Sequence, residues 1–205
     1  MVDSQGAPAG GPDHLLGEPG QPVFYFDLGS PEAYLAAERV LSALPEVAEW
    51  QPVLAAALPG PPAAVDRDLI EVRAAQRGLM TVRWPARWPP ETALAMRVAT
   101  FAKQTGRTVA FAQAAFRQCF AAGRDLGDQD TVLLAAAACE LHPAAVLKGS
   151  GLRSVATRLE QATAAAAAAG VLRVPAVRAG DEVFHGDGGL EAAAEALRGR
   201  AAAAG

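Results

Sequence analysis

The sequence contains few cysteines, histidines and basic residues, and each shortage excludes a kind of chemistry. Its two cysteines, Cys119 and Cys139, form no C-x-x-C motif and lie within helical patterns. We therefore exclude a dithiol redox site and interpret both as small buried side chains. Its three histidines lie far apart, which argues against a metal site. The net charge of −4 leaves no basic surface for a phosphate backbone, so we expect no nucleic-acid partner.

Long apolar runs and an export signal are also missing. No stretch reaches the roughly 18 apolar residues of a membrane span, so we expect no membrane partner. Residues 1–21 are rich in Gly, Pro and Ala and have neither the basic nor the apolar part of a secretory signal. We interpret residues 1–21 as a disordered tail and place the protein in the cytoplasm. The Ala-, Gly- and Pro-rich composition is a weak indication of a bacterial source.

The chain after this tail opens with a strand, a helix and a second strand. Val23–Phe26 is a short β-prone run, typical of a buried strand. Ser30 followed by Pro31 predicts a helix start, because serine caps the first free N–H groups and proline fits the first helical position. Val47–Leu54 predicts the second strand, and Pro52 restricts it to a sheet edge or marks its end.

Residues from about 63 to 169 show only helical patterns, separated by Gly and Pro. The predicted helices are Asp68–Arg77, Pro90–Gln104, Thr108–Ala122, Asp128–Leu141 and Leu152–Ala169. A hairpin of Val174–Val177 and Glu182–His185 follows, and a final helix covers Leu190–Leu197. The order βαβ, helical insertion, ββα predicts one α/β domain over residues 22–200, with the insertion at about 63–169.

Four segments of the sequence resemble one known family. They are Phe24–Ala36, with the pattern F-D-x-x-S-P; Trp50–Leu54; Trp84-Pro85 with the helix Thr92–Arg97; and Gly170–Ala176 with Glu182–Gly186. Together they resemble the DsbA-like superfamily, and most of all its branch of 2-hydroxychromene-2-carboxylate isomerases and kappa-class glutathione transferases. The resemblance covers nearly the whole chain and implies a thioredoxin-like fold with an all-helical insertion.

The resemblance also implies a cofactor, namely glutathione or another low-molecular-weight thiol. In that family the serine at the position of Ser30 donates a hydrogen bond to the thiol sulfur and stabilises the thiolate, which is the reactive form. It further implies that Pro175 is cis and that the backbone of Val174 pairs with the ligand. From the residues alone, Ser30 is explained as a helix cap worth about 1 kcal/mol, and Pro175 as a trans-proline opening a strand.

The segment after the hairpin departs from the family pattern. Relatives carry an x-D-R motif there, whose Asp and Arg help to hold glutathione, whereas this chain has Asp187-Gly188-Gly189. Asp187 lies one position early and is the candidate cofactor-binding residue of this segment, and the arginine is missing. Arg173, where a glycine is common, adds positive charge near the expected ligand, while Glu32 adds negative charge beside the expected thiolate. These departures favour a thiol other than ordinary glutathione, or no thiol at all.

Arginine and tryptophan are concentrated in a short Pro-rich stretch that includes Arg83, Trp84 and Trp88. One interpretation is a binding site for an aromatic carboxylate substrate, with arginine on the carboxylate and tryptophan on the ring. The other is that the tryptophans anchor the stretch to the core while the arginines remain exposed.

Three functions stay open. The first is isomerase or transferase chemistry with a bound thiol. The second is a non-catalytic binding module that keeps the fold. The third is thiol-disulfide exchange, which Ser30 and Ala33 argue against because they occupy the positions of the two cysteines in redox members. The resemblance is also compatible with a homodimer.

Overall fold

The computed structural model describes residues 20–61 and 64–204, so the predicted tail lies outside it except for Gly20 and Gln21. The strands are β1 Val23–Phe26, β2 Glu49–Pro52, β3 Ala176–Ala179 and β4 Glu182–His185. The helices are α1 Pro31–Ala37, α2 Val40–Ala43, α3 Arg67–Gln76, α4 Ala93–Gln104, α5 Thr108–Phe116, α6 Gln129–Ala137, α7 Pro143–Ser150, α8 Arg153–Ala168 and α9 Gly189–Ala204. A 3₁₀ turn covers Ala55–Ala57, and a π-helical turn, Arg117–Ala121, continues α5.

The four strands form one mixed sheet in the order β2-β1-β3-β4. Strands β1 and β2 are parallel, and the pairs β1–β3 and β3–β4 are antiparallel. This arrangement of βαβ and ββα units confirms the predicted thioredoxin-like fold. Pro52 is the last residue of the edge strand β2, where its missing N–H removes no hydrogen bond from the sheet.

Strand β1 is buried on both faces, because helices cover both sides of the sheet. Side chains alternate along a strand, so Phe24 and Phe26 join the core packed against α1, α4 and α5. Val23 and Tyr25 point to the opposite face and join a smaller apolar cluster that includes Ala166 of α8. All four residues are at most 1% exposed. Burial on both faces explains why β1 is a continuous apolar run rather than an alternating one.

The described residues between β2 and β3 form helices and no strand, as the sequence predicts. One helix differs from the prediction: α7 begins at Pro143, whereas the sequence predicts a helix that ends at Leu141 and no other before Leu152. Pro143 instead occupies the first turn of α7, where no N–H is needed, and His142 Nδ1 accepts the N–H of Ala144 as a cap. The last helix also extends beyond its predicted end to Ala204, consistent with the high helix propensity of alanine. None of the helices described is long and apolar enough to span a bilayer.

Candidate functional site

Ser30 lies in the turn that connects β1 to α1, and it caps the helix as predicted. Its Oγ accepts the N–H of Ala33 at 3.1 Å, and its own N–H donates to the carbonyl of Asp27 at 3.0 Å. Pro31 follows at the first helical position. Since Oγ uses a lone pair for the cap, the hydroxyl proton remains available to a ligand.

The Val174–Pro175 peptide is cis, which confirms that prediction. In the antiparallel register Tyr25 is opposite Ala176, so Pro175 lies beside the end of β1 that leads to Ser30. The carbonyl of Pro175 accepts the N–H of Gly186 at 2.8 Å. Val174 is buried, and among the residues described no hydrogen bond uses its backbone N–H or C=O.

The Ser30 side chain borders a small cleft of about 50 Å³ between the start of α1 and the segment that enters α3. Pockets for small ligands typically measure about 300 to 1,000 Å³, so in this conformation the cleft admits a thiol group but not a whole thiol cofactor. Because α3 forms one wall, its position decides how much of a ligand fits. The cleft is lined by Ser30, Pro31, Glu32, Ala64, Val65, Asp66, Leu69 and Ile70.

Asp27 is a buried carboxyl that organises the Ser30 turn, and sequence reasoning did not single it out. Its Oδ1 accepts the N–H of Gly29 at 2.9 Å and the hydroxyl of Thr92 at 3.4 Å, and its Oδ2 accepts the N–H of Ala55 at 2.9 Å. Burial raises the pKa of Asp27, against the opposing effect of these hydrogen bonds. The sequence signal that could have identified Asp27 is an acidic residue at the end of an apolar strand, just before a helix start.

Helix α4 and the residues just before it support the same turn through further contacts. The sulfur of Met96 accepts the N–H of Leu28 at 3.3 Å, and Met96 is fully buried. A Cβ placed on Gly29 would lie 3.2 Å from Thr92 Cγ2 and 3.8 Å from Pro90 Cγ. The turn is therefore held from one side by the insertion and not only by its own helix cap.

Asp187, predicted to contact the thiol, forms an ion pair within the protein. Its two carboxylate oxygens accept from Arg77 Nη1 at 2.6 Å and Nη2 at 2.5 Å. Arg73 Nη1 lies 3.4 Å from Asp187 Oδ2. Asp187 is only 4% exposed, so in this conformation it holds the C-terminal end of α3 against the loop that follows β4.

The two tryptophans of the Pro-rich stretch anchor the other end of α3. Trp84 and Trp88 are in edge-to-face contact, with ring centroids 5.0 Å apart, and the Arg67 guanidinium lies 4.8 Å and 5.2 Å from their ring centroids. Trp84 Nε1 donates to Glu71 Oε1 at 2.6 Å. This geometry agrees with the anchoring interpretation, and a role in substrate binding stays a prediction.

Arg83, which directly precedes Trp84 in the sequence, takes no part in these contacts with Arg67 and Glu71. Its side chain is exposed and borders a different groove of about 500 Å³, in which Arg117 also lies. Arg117 makes a bidentate ion pair with Glu38 at the end of α1, whereas Ser30 lies at the start of α1. A role of Arg83 in substrate binding, together with Trp84 and Trp88, stays a prediction.

The two cysteines are buried in the insertion, as expected. Burial, and less strongly the charge of Asp125, raises the pKa of Cys119 to about 12. Burial also raises the pKa of Cys139, whose thiol contacts backbone carbonyls of α6. Thiols in such surroundings are unreactive. Over residues 20–61 and 64–204, no three His, Cys, Asp or Glu side chains are grouped as metal ligands would be.

Comparisons with known proteins agree with this architecture. The family model described as a DSBA-like thioredoxin domain matches residues 23–198. A solved 2-hydroxychromene-2-carboxylate isomerase is similar with a TM-score of 0.76 at 19% identity, covering 88% of this chain and 95% of that one. A probable DsbA oxidoreductase from Streptomyces coelicolor has a TM-score of 0.67 at 20% identity, covering 87% and 88%. A search of curated proteins found no significant match. At these identities the structural likeness shows the fold alone.

Proposed function

This chain belongs to the DSBA-like thioredoxin domain family, and from that premise we propose that it binds a low-molecular-weight thiol for isomerase or transferase chemistry. The thiol is glutathione or an analogue, and Ser30 stabilises its thiolate. The likeness to 2-hydroxychromene-2-carboxylate isomerase supports isomerisation as the first reaction to test.

The position of the Ser30 hydroxyl carries this proposal. Ser30 lines the cleft, one lone pair of its Oγ accepts the Ala33 N–H, and its hydroxyl proton is free to donate. A hydrogen bond to a charged acceptor contributes about 1.5 to 3 kcal/mol, which would lower the pKa of a bound thiol by about one to two pH units. At neutral pH that change turns a mostly protonated thiol into a substantial fraction of thiolate, the nucleophilic form.

The backbone beside the cis-proline supplies a second contact for the ligand. The N–H and C=O of Val174 are without partners among the described residues, and they lie at the sheet end that leads to Ser30. An extended peptide-like thiol can pair with such a backbone as a short added strand. Val174 and Pro175 would then orient the ligand, and Ser30 would act on its sulfur.

The proposed reaction requires no oxidant or reductant. The thiolate adds to a conjugated double bond of the substrate, forming a C–S bond and leaving a C–C single bond that can rotate. Elimination then breaks the C–S bond and restores the double bond in the new geometry, with the thiolate released unchanged. The thiol thus supplies the sulfur that the Ser30 turn lacks.

Calorimetry with glutathione and other small thiols tests the proposal. We expect binding to the unaltered protein, with the pKa of the bound thiol lowered, and we expect Ser30→Ala to abolish that lowering. Ser30→Thr, which keeps both the cap and the hydroxyl, should restore it. Ser154→Ala, at an exposed serine in the first turn of α8, is the matched control. If no thiol binds, or if the bound thiol has the same pKa in Ser30→Ala, the role assigned to Ser30 is wrong.

The small size of the cleft favours a second candidate, a non-catalytic binding module. With about 50 Å³ beside Ser30 and with Asp187 engaged by Arg77, this conformation has no room for a complete cofactor. The same calorimetry separates the two candidates, since a non-catalytic module should show no thiol binding under any condition.

A further inference from the structure

Leu172 lies three positions before Pro175 and is held between two elements of the protein. Its carbonyl accepts the N–H of Gly60 at 2.8 Å, and its N–H donates to Nε2 of His185, the last residue of β4, at 2.9 Å. A Cβ placed on Gly60 would overlap the Leu172 carbonyl, so the first contact requires a glycine. Both contacts fix the backbone that continues into Val174, the residue proposed to pair with the ligand.

His185 anchors Leu172 only while its imidazole is neutral. Because Nε2 accepts a hydrogen bond, the single ring proton of the neutral form resides on Nδ1. Protonation places a second N–H at Nε2, where it faces the N–H of Leu172 as donor against donor, and the bond is lost. The contact with Gly60 joins two backbone groups and does not titrate. The segment before Pro175 therefore has one permanent anchor and one anchor that depends on pH.

Arg173 opposes the protonation of His185. Its guanidinium lies beside the residue that follows His185, since a Cβ placed on Gly186 would be 3.9 Å from Arg173 Nη2. Burial, and then the charge of Arg173, lower the pKa of His185 below its ordinary 6.5. The neutral, bonded form is therefore the main form at neutral pH, and the folded protein takes up this proton less readily than the unfolded chain does.

Charged groups on the other elements around β4 are engaged elsewhere. The loop at 58–61 carries no charged residue. On β3, on α9 and in the loop after β4, the first charged residues are Arg178, which is opposite Val183, Glu191, which is paired with Arg39, and Asp187, which is bonded to Arg77. Of the charged groups around it, Arg173 is therefore the one that acts on His185.

Building on the proposed function, we propose that His185 is a positioning residue of the thiol site, which holds the Val174 backbone in place when neutral and releases it when protonated. The N–H and C=O of Val174 can orient a ligand only if the segment that carries them is fixed, and Leu172 is two residues away. His185 acts through Leu172 and does not itself contact the ligand. Binding of a thiol should therefore weaken as the pH falls below about 6.5.

Amide exchange of Leu172, followed by NMR between about pH 8 and pH 5, tests the release without any ligand. We expect the protection factor of this amide to fall about tenfold as His185 is protonated, the effect of losing one hydrogen bond. His185→Gln keeps an acceptor that does not titrate, so its protection should be independent of pH. His142→Gln is the matched control, because His142 also accepts a backbone N–H, and it should retain the pH dependence. Constant protection in the unaltered protein, or an equal fall in His185→Gln, overturns the proposal.

Calorimetry with glutathione at about pH 7.5 and about pH 5.5 tests the positioning role. We expect the unaltered protein to bind glutathione more weakly at the lower pH, by up to about tenfold, and His185→Gln to bind it equally at both. If the affinities of the two proteins fall by the same factor, His185 does not position the ligand. If neither protein binds glutathione at either pH while Leu172 is still released, the proposed function fails for glutathione and the pH-dependent anchor stands. The two proposals can therefore fail separately.

Discussion

Two helices of the insertion flank the Ser30 turn, and they are held in different ways. Helix α4 buries six residues, including Met96, and contacts the turn through Asp27 and Leu28. Helix α3 buries only Ile70 and Ala74. Other contacts that hold α3 in place are its ion pairs with Asp187 and the contacts of Arg67 with two tryptophans.

This difference indicates which wall of the site can move. Apolar burial stabilises α4 in proportion to the area removed from water, so α4 opens only when the core opens. Helix α3 buries less apolar surface, and the arginine side of its ion pairs is 21% to 34% exposed, so α3 opens at a lower free energy than the rest of the protein. A cleft too small for a cofactor can therefore enlarge by movement of α3 while α4 keeps the Ser30 turn fixed.

The largest expected effect is at α4. Met96→Ala should destabilise the protein by about 2 to 5 kcal/mol, the range for truncating a fully buried side chain. The control is Met80→Ala, at a residue 61% exposed, which should change stability by less than about 0.5 kcal/mol. Urea unfolding measures both. Similar small values for the two variants would contradict the view of α4 as the fixed wall.

A smaller and more local effect is expected at α3. Asp187→Asn weakens the ion pairs with Arg77 and Arg73 and should lower the free energy of opening of α3 by about 1 to 2 kcal/mol. Amide hydrogen exchange should then show faster exchange over Arg67–Gln76 and unchanged exchange over Ala93–Gln104. Added salt should produce a smaller change of the same kind in the unaltered protein, because the carboxylate of Asp187 is almost fully buried. A uniform loss of protection over both helices would mean that α3 and α4 open together.

The Ser30 turn, which lies between the two helices, should respond to loss of its cap. Ser30→Ala should lower the free energy of unfolding by about 1 kcal/mol, the usual value for an N-cap. Ser30→Thr keeps an oxygen that can accept the Ala33 N–H, so its free energy of unfolding should decrease by less. Thermal or urea unfolding measures both. An unchanged stability in Ser30→Ala would show that α4 alone holds the turn.

The smallest expected effect is a pH dependence that arises from Asp27. Because burial raises its pKa in the folded state above the ordinary 3.8, the folded protein binds a proton that the unfolded chain has already released. The contribution of Asp27 to stability is therefore greatest below pH 3.8 and is lost as the pH rises through the raised pKa. The free energy of unfolding of the unaltered protein minus that of Asp27→Asn should decrease as the pH rises from 3.8 through the raised pKa. Urea unfolding at several pH values measures this difference. A flat difference would contradict the raised pKa.

Features with local causes were predictable from the sequence. Strand β1 and the cap at Ser30 follow from a β-prone run and a Ser-Pro pair, and the hairpin follows from two short strands around a glycine turn. The cis-proline came from the family motif rather than from spacing. Helix α7 was missed because Pro143 fits both a helix end and a helix start, and only the cap from His142 distinguishes them.

The sequence by itself determined where the candidate site begins, because a helix cap acts between residues three positions apart, as in the bond from Ala33 to Ser30. Only the tertiary structure decided what surrounds that site. Asp187 meets Arg77 across 110 positions, and Asp27 meets Thr92 across 65, and no local pattern encodes such pairs. They form because the sheet and the insertion bury these carboxyl groups, and a buried carboxyl group requires hydrogen-bond partners from any element that can reach it.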